Sequence, residues 1–325
     1  MPMTPRQRFA RALNFEPLDR LPMVEWASWW NKTVERWEGE ALPVGLGVEG
    51  TQRYFGLDVM LCISAAVLGP EFPNRLVTDE ASYEAVRPHL FLDTRINELV
   101  EAAGKLKARH DSGEIVIRLW LDGFFWFPRT LFGIENHLYA FADYPDLMQR
   151  MNSELADYHR RSVEALCSVL TPDMVGFAED MSYNNGPMLS RAYFDEFLLP
   201  YYLQVVPLLK EKGIKVLVDT DGQVEPMIPW LLDAGIEGVY PLERQSGVDV
   251  ARIRRDYPRF LMMGGYDKMV MPKGATAMRA EFERLLPVMA SGGFIPSVDH
   301  QTPPGVSFEN YCAYMQLFRE FATRL

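Results

Sequence analysis

Short apolar runs alternate with longer amphipathic stretches along almost the whole chain, and this alternation restricts the possible folds. About eight units can be counted in which a strand is followed by a helix, without a low-complexity segment or a break in composition between them. Strands that alternate with helices form parallel sheets, and eight such units that close on themselves form a (β/α)8 barrel. We therefore expect an α/β fold: a single TIM-barrel domain over residues 1–325 with an N-terminal helical extension.

Turn and capping signals give approximate bounds for these units. The first helix begins after Thr4, which forms a T-x-x-Q capping box, and it ends near Asn14. Strands are expected at about 20–25, 57–63, 114–121, 174–178, 215–218, 238–241, 260–264 and 293–297. Helices are expected at about 97–109, 128–141, 145–170, 190–212, 226–233, 248–255, 275–290 and after Ser307. A loop is expected at Gly69, Pro70, Pro73 and Asn74.

An open, doubly wound sheet is the alternative to a barrel. That fold binds dinucleotides at a G-x-G-x-x-G turn, which usually follows the first strand. No such turn follows an early strand of this chain, so the barrel is favoured.

The composition argues against several classes of partner. A net charge of −11 and a pI of about 5.1 disfavour nucleic acid and anionic membranes, because both favour a basic surface. The sequence shows neither a leader-like segment nor an apolar run of membrane length, so we expect a soluble cytoplasmic protein that acts on a small molecule. Cys62, Cys167 and Cys312 are widely spaced, which favours packing roles over a disulfide framework. The oligomeric state stays open, with a homodimer as one option.

The stretch Lys215–Gly222 carries the clearest chemical signal. Its apolar run predicts a buried strand that ends in Asp219 and Asp221. Because side chains alternate along a strand, both carboxylates would point to the same side, roughly 6–7 Å apart. The structural alternative is that Asp219 caps the next helix and Asp221 opens a turn.

Acidic residues also follow most of the other predicted strands. In a barrel, the carboxyl ends of all strands meet at one rim, where the active sites of this fold lie. The acids expected there are Asp122, Glu179, Asp180, Asp219, Asp221, Glu243, Asp267 and Asp299. About half of them are expected to cap helices. Carboxylates that converge on one cavity repel each other unless a cation or protons lie among them, so the rim predicts a metal or coupled acid–base chemistry.

One histidine and several aromatic residues accompany these acids. His300 directly follows the acid of the last strand, whereas the other four histidines are expected on the surface or in packing. Trp26, Trp29 and Phe125 are expected to form an apolar wall around the substrate, with an ordinary core role as the alternative.

Several segments together resemble the uroporphyrinogen decarboxylase superfamily, in the branch that also contains corrinoid-dependent methyltransferases. The similar segments are 4–14, 19–22, 179–187, 197–201, 221–222, 233–235, 264–265, 267–268, 293–300 and 303–304. The resemblance covers nearly the whole chain and implies the barrel fold, but the superfamily hosts several chemistries on that fold. It also places Tyr183, Asn184 and Asp267 among the residues expected to contact the substrate.

The resemblance to true uroporphyrinogen decarboxylases is weaker near the first strand. Those enzymes hold the carboxylates of their substrate with an R-Q-A-G-R segment. Here the stretch after Val24 contains no arginine before Arg36. An acidic rim without that segment would bind a polyanion poorly.

The thiol-methylating members of the family differ from this chain in another way. They hold zinc with an H-x-C motif and a cysteine on the last strand, whereas Asp219-x-Asp221 and Ser297-x-Asp299 stand at those places here. Zinc also accepts carboxylate oxygen and imidazole nitrogen. The resemblance therefore implies a mixed metal site, with zinc as the candidate ion, formed by Asp219, Asp221, Glu179 and His300.

The leading hypothesis is a methyltransferase. It would move a methyl group between a small substrate, such as an ether, an amine or a tetrahydrofolate-like donor, and a corrinoid protein docked over the barrel mouth. Asp219, Asp221 and Glu179, or a metal, would activate the leaving group, with His300 as ligand or proton donor. The first alternative is a decarboxylase (a lyase) of a porphyrinogen or a related acid. The second is a non-catalytic barrel that binds a cation such as a quaternary amine.

Overall fold

The computed structural model describes residues 2–69 and 77–324, and nine strands are formed within them. They are β1 (Met60–Ser64), β2 (Val116–Asp122), β3 (Met174–Ala178), β4 (Ser182–Tyr183), β5 (Gly186–Pro187), β6 (Lys215–Asp219), β7 (Gly238–Tyr240), β8 (Leu261–Tyr266) and β9 (Phe294–Val298). Seven of them form a parallel sheet in the order β1-β2-β3-β6-β7-β8-β9, while β4 and β5 pair as a short antiparallel hairpin. The strand order follows the chain, as in a TIM-barrel-like fold.

Helices connect successive strands of this sheet. They are α1 (Pro5–Leu13), α2 (Asn31–Glu40), α3 (Gly47–Tyr54), α4 (Glu80–Val86), α5 (Asp93–Asp111), α6 (Trp126–Phe132), α7 (Ile134–Asp143), α8 (Pro145–Cys167), α9 (Arg191–Phe197), α10 (Leu199–Glu211), α11 (Ile228–Asp233), α12 (Val250–Asp256), α13 (Ala275–Met289) and α14 (Phe308–Ala322). None of the described helices combines the length and the apolar character that crossing a bilayer requires. The loop predicted at Pro70, Pro73 and Asn74 lies outside the described residues.

Capping residues explain several helix boundaries. The Thr4 side chain accepts a hydrogen bond from the Gln7 N–H, and the Gln7 side chain completes the predicted capping box. Ser190 and Ser307 cap α9 and α14 in the same way. These three helix starts were therefore predicted correctly.

Two predicted helices are each divided into two. The helix expected at 128–141 becomes α6 and α7, because Gly133 between them has a φ of +78°, which a helix cannot contain. The helix expected at 190–212 becomes α9 and α10, because Pro200 stands in the first turn of α10 and cannot continue a preceding helix.

The segment 20–25, expected as the first strand, is not a strand in the part of the chain that the structure describes. The segment lies between β9 and β1, but few of the contacts that hold it there are hydrogen bonds between backbone groups. The Asp58 N–H donates to the Met23 carbonyl, and the Glu25 carboxylate accepts from Ser297 Oγ (2.6 Å) and the Val298 N–H (3.2 Å). The buried Glu25 side chain thus takes the place of some of the backbone hydrogen bonds that a strand would form with β9.

Apolar cores lie on both faces of the sheet. The larger core packs the outer face of the strands against the helices. The inner core contains alternate strand residues and is closed at its amino end by α1: Phe9, Ala12, Leu13, Val24, Trp26, Met60, Val116, Met174, Leu217, Tyr240, Leu261, Met263 and Ile295. The Gly293 N–H donates to the Ala12 carbonyl, which fixes α1 at the amino ends of the strands. The carboxyl ends are left for the functional site.

Candidate functional site

A pocket of about 160 Å³ lies at the carboxyl ends of β2, β3 and β6. It combines an aromatic wall with acidic groups, and its lining residues are Trp26, Trp120, Trp126, Ala178, Glu179, Asp180, Asp219, Asp221 and His300. All four residues predicted as catalytic are therefore present in one pocket. The pocket lies at the rim where the active sites of barrel folds are found.

A larger cavity, of about 580 Å³, lies at the opposite end, against α1 and the amino ends of the strands. Its lining includes the Arg6–Asp173 ion pair, which anchors α1. We place the functional site in the smaller pocket because only there do acids with strongly raised pKa values meet an apolar wall.

The two central acids come from the end of β6. Leu217 points into the inner core, so Asp219, two residues further along, points to the same face and into the pocket. The chain then turns at Gly222, whose φ is +81° and where a Cβ atom would lie 2.5 Å from the Tyr183 backbone. Only glycine fits this turn, which keeps Asp221 at the pocket.

His300 lies beside this pair. Its Nε2 atom is 3.6 Å from Asp221 Oδ2, and its ring stands edge-on to Trp26 at a centroid distance of 6.0 Å. No residue among those that the structure describes donates a hydrogen bond to the Asp219 side chain. A carboxyl group without a donor is available to a ligand.

Burial shifts the pKa values of Asp219, Asp221 and His300. It raises the pKa of Asp219 to about 8, against the opposing charge of Arg118, and the charges of Asp221 and Asp180 raise it further. Burial also raises the pKa of Asp221 to about 7, with contributions from Glu243 and Asp180. The pKa of His300 is lowered, chiefly by burial. At neutral pH Asp219 therefore mostly carries a proton, Asp221 is divided between its two forms, and the imidazole of His300 is uncharged.

Glu179 differs from the other predicted catalytic acids because its oxygens are already occupied. They accept hydrogen bonds from the backbone N–H groups of Phe124 (2.7 Å), Phe125 (2.7 Å) and Trp126 (3.1 Å), and from the Tyr202 hydroxyl. The carboxyl group thus satisfies the free N–H groups at the start of α6 and is fully buried. The structure gives Glu179 a scaffold role at the base of the pocket.

Most of the remaining rim acids are also bound to backbone N–H groups. The acids Asp122, Glu243, Asp267 and Asp299 accept from the backbone N–H groups of Val67, Gly222, Met269, Arg244 and Lys268. The expectation was that about half of the rim acids cap helices; Asp122 and Glu243 instead bind backbone N–H groups in loops. Asp180 instead forms an ion pair with Arg129 at 3.0 Å.

The aromatic wall consists of Trp26, Trp120 and Trp126. Trp26 is held by a hydrogen bond from its Nε1 to the Val298 carbonyl (2.9 Å). Trp120 and Trp126 were not among the predicted site residues, although a signal existed. Trp120 precedes Asp122 by two residues on β2 and must share its face.

Several other predicted substrate contacts do not reach the pocket. Trp29 packs against Trp37, Phe55 and Tyr311 in the outer core, and Phe125 is fully buried against His137 and Phe141. Both are core residues because the helices after the strands cover them. Tyr183, Asn184 and Asp267 lie on the rim outside the pocket lining.

Comparison with protein families decides the membership of this chain. The model of the family described as uroporphyrinogen decarboxylase (URO-D) matches residues 52–321. The chain belongs to the uroporphyrinogen decarboxylase family. The resemblance inferred from the sequence is thereby confirmed. A search of curated proteins found no match.

Solved structures similar to this uroporphyrinogen decarboxylase family member include a methyltransferase from Methanosarcina mazei. It is 15% identical, its TM-score is 0.70, and the match covers 98% of this chain and 99% of that one. A B12-independent methionine synthase from Shewanella sp. W3-18-1 is 13% identical with a TM-score of 0.49, covering 93% of this chain and 92% of that one. The first of these likenesses supports the TIM-barrel-like fold.

The zinc site that the family resemblance implied was tested against the geometry. Among residues 2–69 and 77–324, no three His, Cys, Asp or Glu side chains are arranged so that they could hold a metal ion. The oxygens of Glu179, one of the four expected ligands, are engaged by the start of α6. The residues of this family member do not fit the expected metal as they stand, and no chemical step is assigned to one.

Proposed function

We propose that this member of the family is a methyltransferase, which moves a methyl group between a small methylated ether, amine or tetrahydrofolate-like substrate and a corrinoid protein. The observation that carries the proposal is the pair Asp219 and Asp221. Burial raises their pKa values to about 8 and about 7, and the pair faces a wall of three tryptophans. The site thus offers protons to a substrate held against an apolar surface, which is what removal of a methyl group from oxygen or nitrogen requires.

The chain's own residues have separate roles in this reaction. The tryptophans Trp26, Trp120 and Trp126 hold the methylated group and exclude water. The bond between the methyl carbon and the oxygen or nitrogen breaks as the methyl group moves to the acceptor. Asp219 or Asp221 gives its proton to the leaving atom, so that an alcohol or amine departs and the carboxylate stays behind. The neutral His300 beside Asp221 returns the proton from solvent.

The methyl acceptor must come from outside the chain. A pocket of about 160 Å³ is too small to enclose a corrin ring, so a corrinoid would be presented at the rim by a partner protein. When bound, it would supply the nucleophilic cobalt that takes the methyl group. We propose a corrinoid protein docked over the carboxyl ends of the strands.

Methyl transfer to cob(I)alamin, with methylated ethers and amines as donors, tests the proposal. The double variant Asp219→Asn/Asp221→Asn should lose at least about a hundredfold in rate, the usual contribution of a positioned acid. The matched control is Asp143→Asn at the exposed end of α7, which should keep full activity. Unchanged transfer in the double variant would show that these carboxyl groups are not the acids.

Decarboxylation is the second candidate, because the chain belongs to the uroporphyrinogen decarboxylase family and a protonated carboxyl group could also protonate a carbanion. The pocket lining contains no lysine or arginine, and the neighbouring Arg118 could hold a single carboxylate rather than a polyanion such as uroporphyrinogen. The pocket is also smaller than drug-sized ligands usually need. Incubation with uroporphyrinogen should therefore release no carbon dioxide. Release at a rate that depends on Asp219 would favour the decarboxylase instead.

A non-catalytic, cation-binding barrel is the third candidate. Three tryptophans beside carboxyl groups are also a setting in which quaternary amines bind. Calorimetry with tetramethylammonium distinguishes this candidate. Tight binding that persists without any turnover in the presence of a corrinoid protein would favour it over methyl transfer.

A further inference from the structure

A second polar group lies on the inner face of the sheet, next to the pocket. Arg118 precedes Trp120 by two residues on β2 and therefore points to the same face. Its Cζ atom is 5.9 Å from the centre of the Trp26 ring and 5.4 Å from that of Tyr240. Trp26, which lines the pocket, is also 6.0 Å from the His300 ring, so its indole adjoins both the pocket and Arg118.

Arg118 and Tyr240 have polar atoms that remain unpaired. Arg118 is only 7% exposed, and neither Nε nor Nη1 has a hydrogen-bond partner. The Tyr240 hydroxyl, fully buried, has no partner of good geometry either, although it lies close enough to the Arg118 guanidinium for the two groups to interact. Buried polar groups in folded proteins are nearly always paired, and an unpaired guanidinium is costly. Two such groups with adjoining side chains indicate a place that a ligand completes.

The positive charge of Arg118 is also uncompensated. Within the described residues it forms no ion pair, and Asp219 is the one carboxyl group close enough to affect it appreciably. Burial raises the pKa of Asp219 to about 8, so this group is largely uncharged at neutral pH. The inner face therefore holds a cation that forms no ion pair with a carboxylate of the described residues.

Arg118 keeps a small exposed surface, 7% of the residue, through which a ligand can reach it. Its register partner on β1 is Cys62, which is exposed. On β3, a Cβ atom at Gly176 would lie 1.9 Å from the Tyr240 hydroxyl, so the glycine makes room for that hydroxyl on the inner face. Arg118 can thus be approached from the β1 side as well as past Trp26.

We propose that Arg118 and Tyr240 form an anion subsite, reached on the side of Cys62, that binds a carboxylate of the methylated substrate. The guanidinium and phenol supply N–H and O–H donors, the groups that bind carboxylates most strongly. The methyl end of the same molecule would lie against Trp26 near Asp219 and His300. The assignment of the anion to the methyl donor rests on the proposed function; the anion subsite itself does not.

Calorimetry with methoxyacetate and its neutral counterpart methoxyacetamide tests this subsite. Both carry a methyl ether, and they differ in the carboxylate. Measured at equal ionic strength on the full chain alone, methoxyacetate should bind at least tenfold more tightly. Arg118→Met should abolish this preference, and Tyr240→Phe should weaken it. Arg255→Met, the same change at an exposed position, should leave it intact.

Each result of this calorimetry either supports or overturns the proposed subsite. An equal affinity of the wild-type protein for the two ligands would overturn the subsite, and so would a preference that survives in Arg118→Met. Because the wild-type comparison is decisive by itself, a variant that fails to fold does not weaken the test. Circular dichroism identifies such a variant. If methoxyacetate binds through Arg118 but is never demethylated with a corrinoid acceptor, the subsite stands and the proposed methyl transfer fails.

Discussion

Replacing Asp219 with asparagine should make the protein more stable at high pH. The carboxyl group accepts no hydrogen bond from the described residues, and burial raises its pKa from the ordinary 3.8 to about 8. Asparagine has nearly the same shape but never ionises. The variant therefore removes the cost of holding a buried charge without leaving a cavity.

The sign and the size of the effect follow from linkage. A carboxyl group with a raised pKa in the folded state contributes stability below its ordinary pKa, and this contribution is lost as the pH rises through the folded value. For Asp219 the loss runs from about pH 4 to about pH 8. Each pKa unit corresponds to about 1.4 kcal/mol, so about 4 kcal/mol should be lost between pH 5 and pH 9. That is a large part of the 5–15 kcal/mol by which domains are typically stable.

Urea denaturation of the wild type, Asp219→Asn and the control Asp143→Asn at pH 5, 7 and 9 measures this effect. The difference in the free energy of unfolding between Asp219→Asn and the wild type should move in favour of the variant by about 4 kcal/mol from pH 5 to pH 9. The control should follow the wild type at every pH. A difference that does not change with pH would show that Asp219 ionises normally, and the acid role assigned to it would be refuted.

Two further substitutions test the scaffold around the site. Glu179→Gln should lower the free energy of unfolding at pH 5 by about 1–3 kcal/mol, because the amide NH2 accepts no hydrogen bond and leaves at least one N–H at the start of α6 without an acceptor. Burial raises the pKa of Glu179 to about 7, so this loss should shrink as the pH rises above 7; unchanged urea denaturation at pH 5 would contradict the scaffold role. Gly176→Ala should cost roughly 1–3 kcal/mol, because its Cβ would displace the Tyr240 hydroxyl. Gly104→Ala in α5, where a Cβ meets nothing within 4 Å, is its control and should not lower the melting temperature.

The alternation of strands and helices could be predicted because local rules determine it. Leu217 and Asp219 on one face of β6, with Val216 and Val218 on the other, follow from the period of a strand alone. The first predicted strand shows the limit. Whether 20–25 joins the sheet depends on the side chain of Glu25, which accepts a hydrogen bond from the N–H of Val298, 273 residues further along the chain. Local sequence carries no signal for that contact.

The sequence predicted the acids of the site better than its aromatic residues. Strand ends identify the acids, and Asp219, Asp221 and His300 do lie together. Trp26 and Trp29 could not be told apart, because both follow the same segment and only packing decides which one faces the pocket. The distinction between Glu179 and Asp219 is also tertiary, since it depends on where α6 begins.

The hydrogen bonds at the rim explain how so many acids can lie close together. An acid whose oxygens accept backbone N–H groups, as Glu179 and Asp299 do, is stabilised by the chain ends it holds and is thereby committed to the scaffold. Asp219 has no such donors, and burial raises its pKa to about 8, above the values of about 7 for Glu179 and about 6 for Asp299. Arg118, whose charge acts on Asp219, forms no ion pair among the described residues. A buried acid and a buried cation that do not pair cost stability in the free protein. In our proposal that cost is recovered when the substrate takes a proton from Asp219 and its carboxylate pairs with Arg118, while Asp221 and His300 complete the acid–base site.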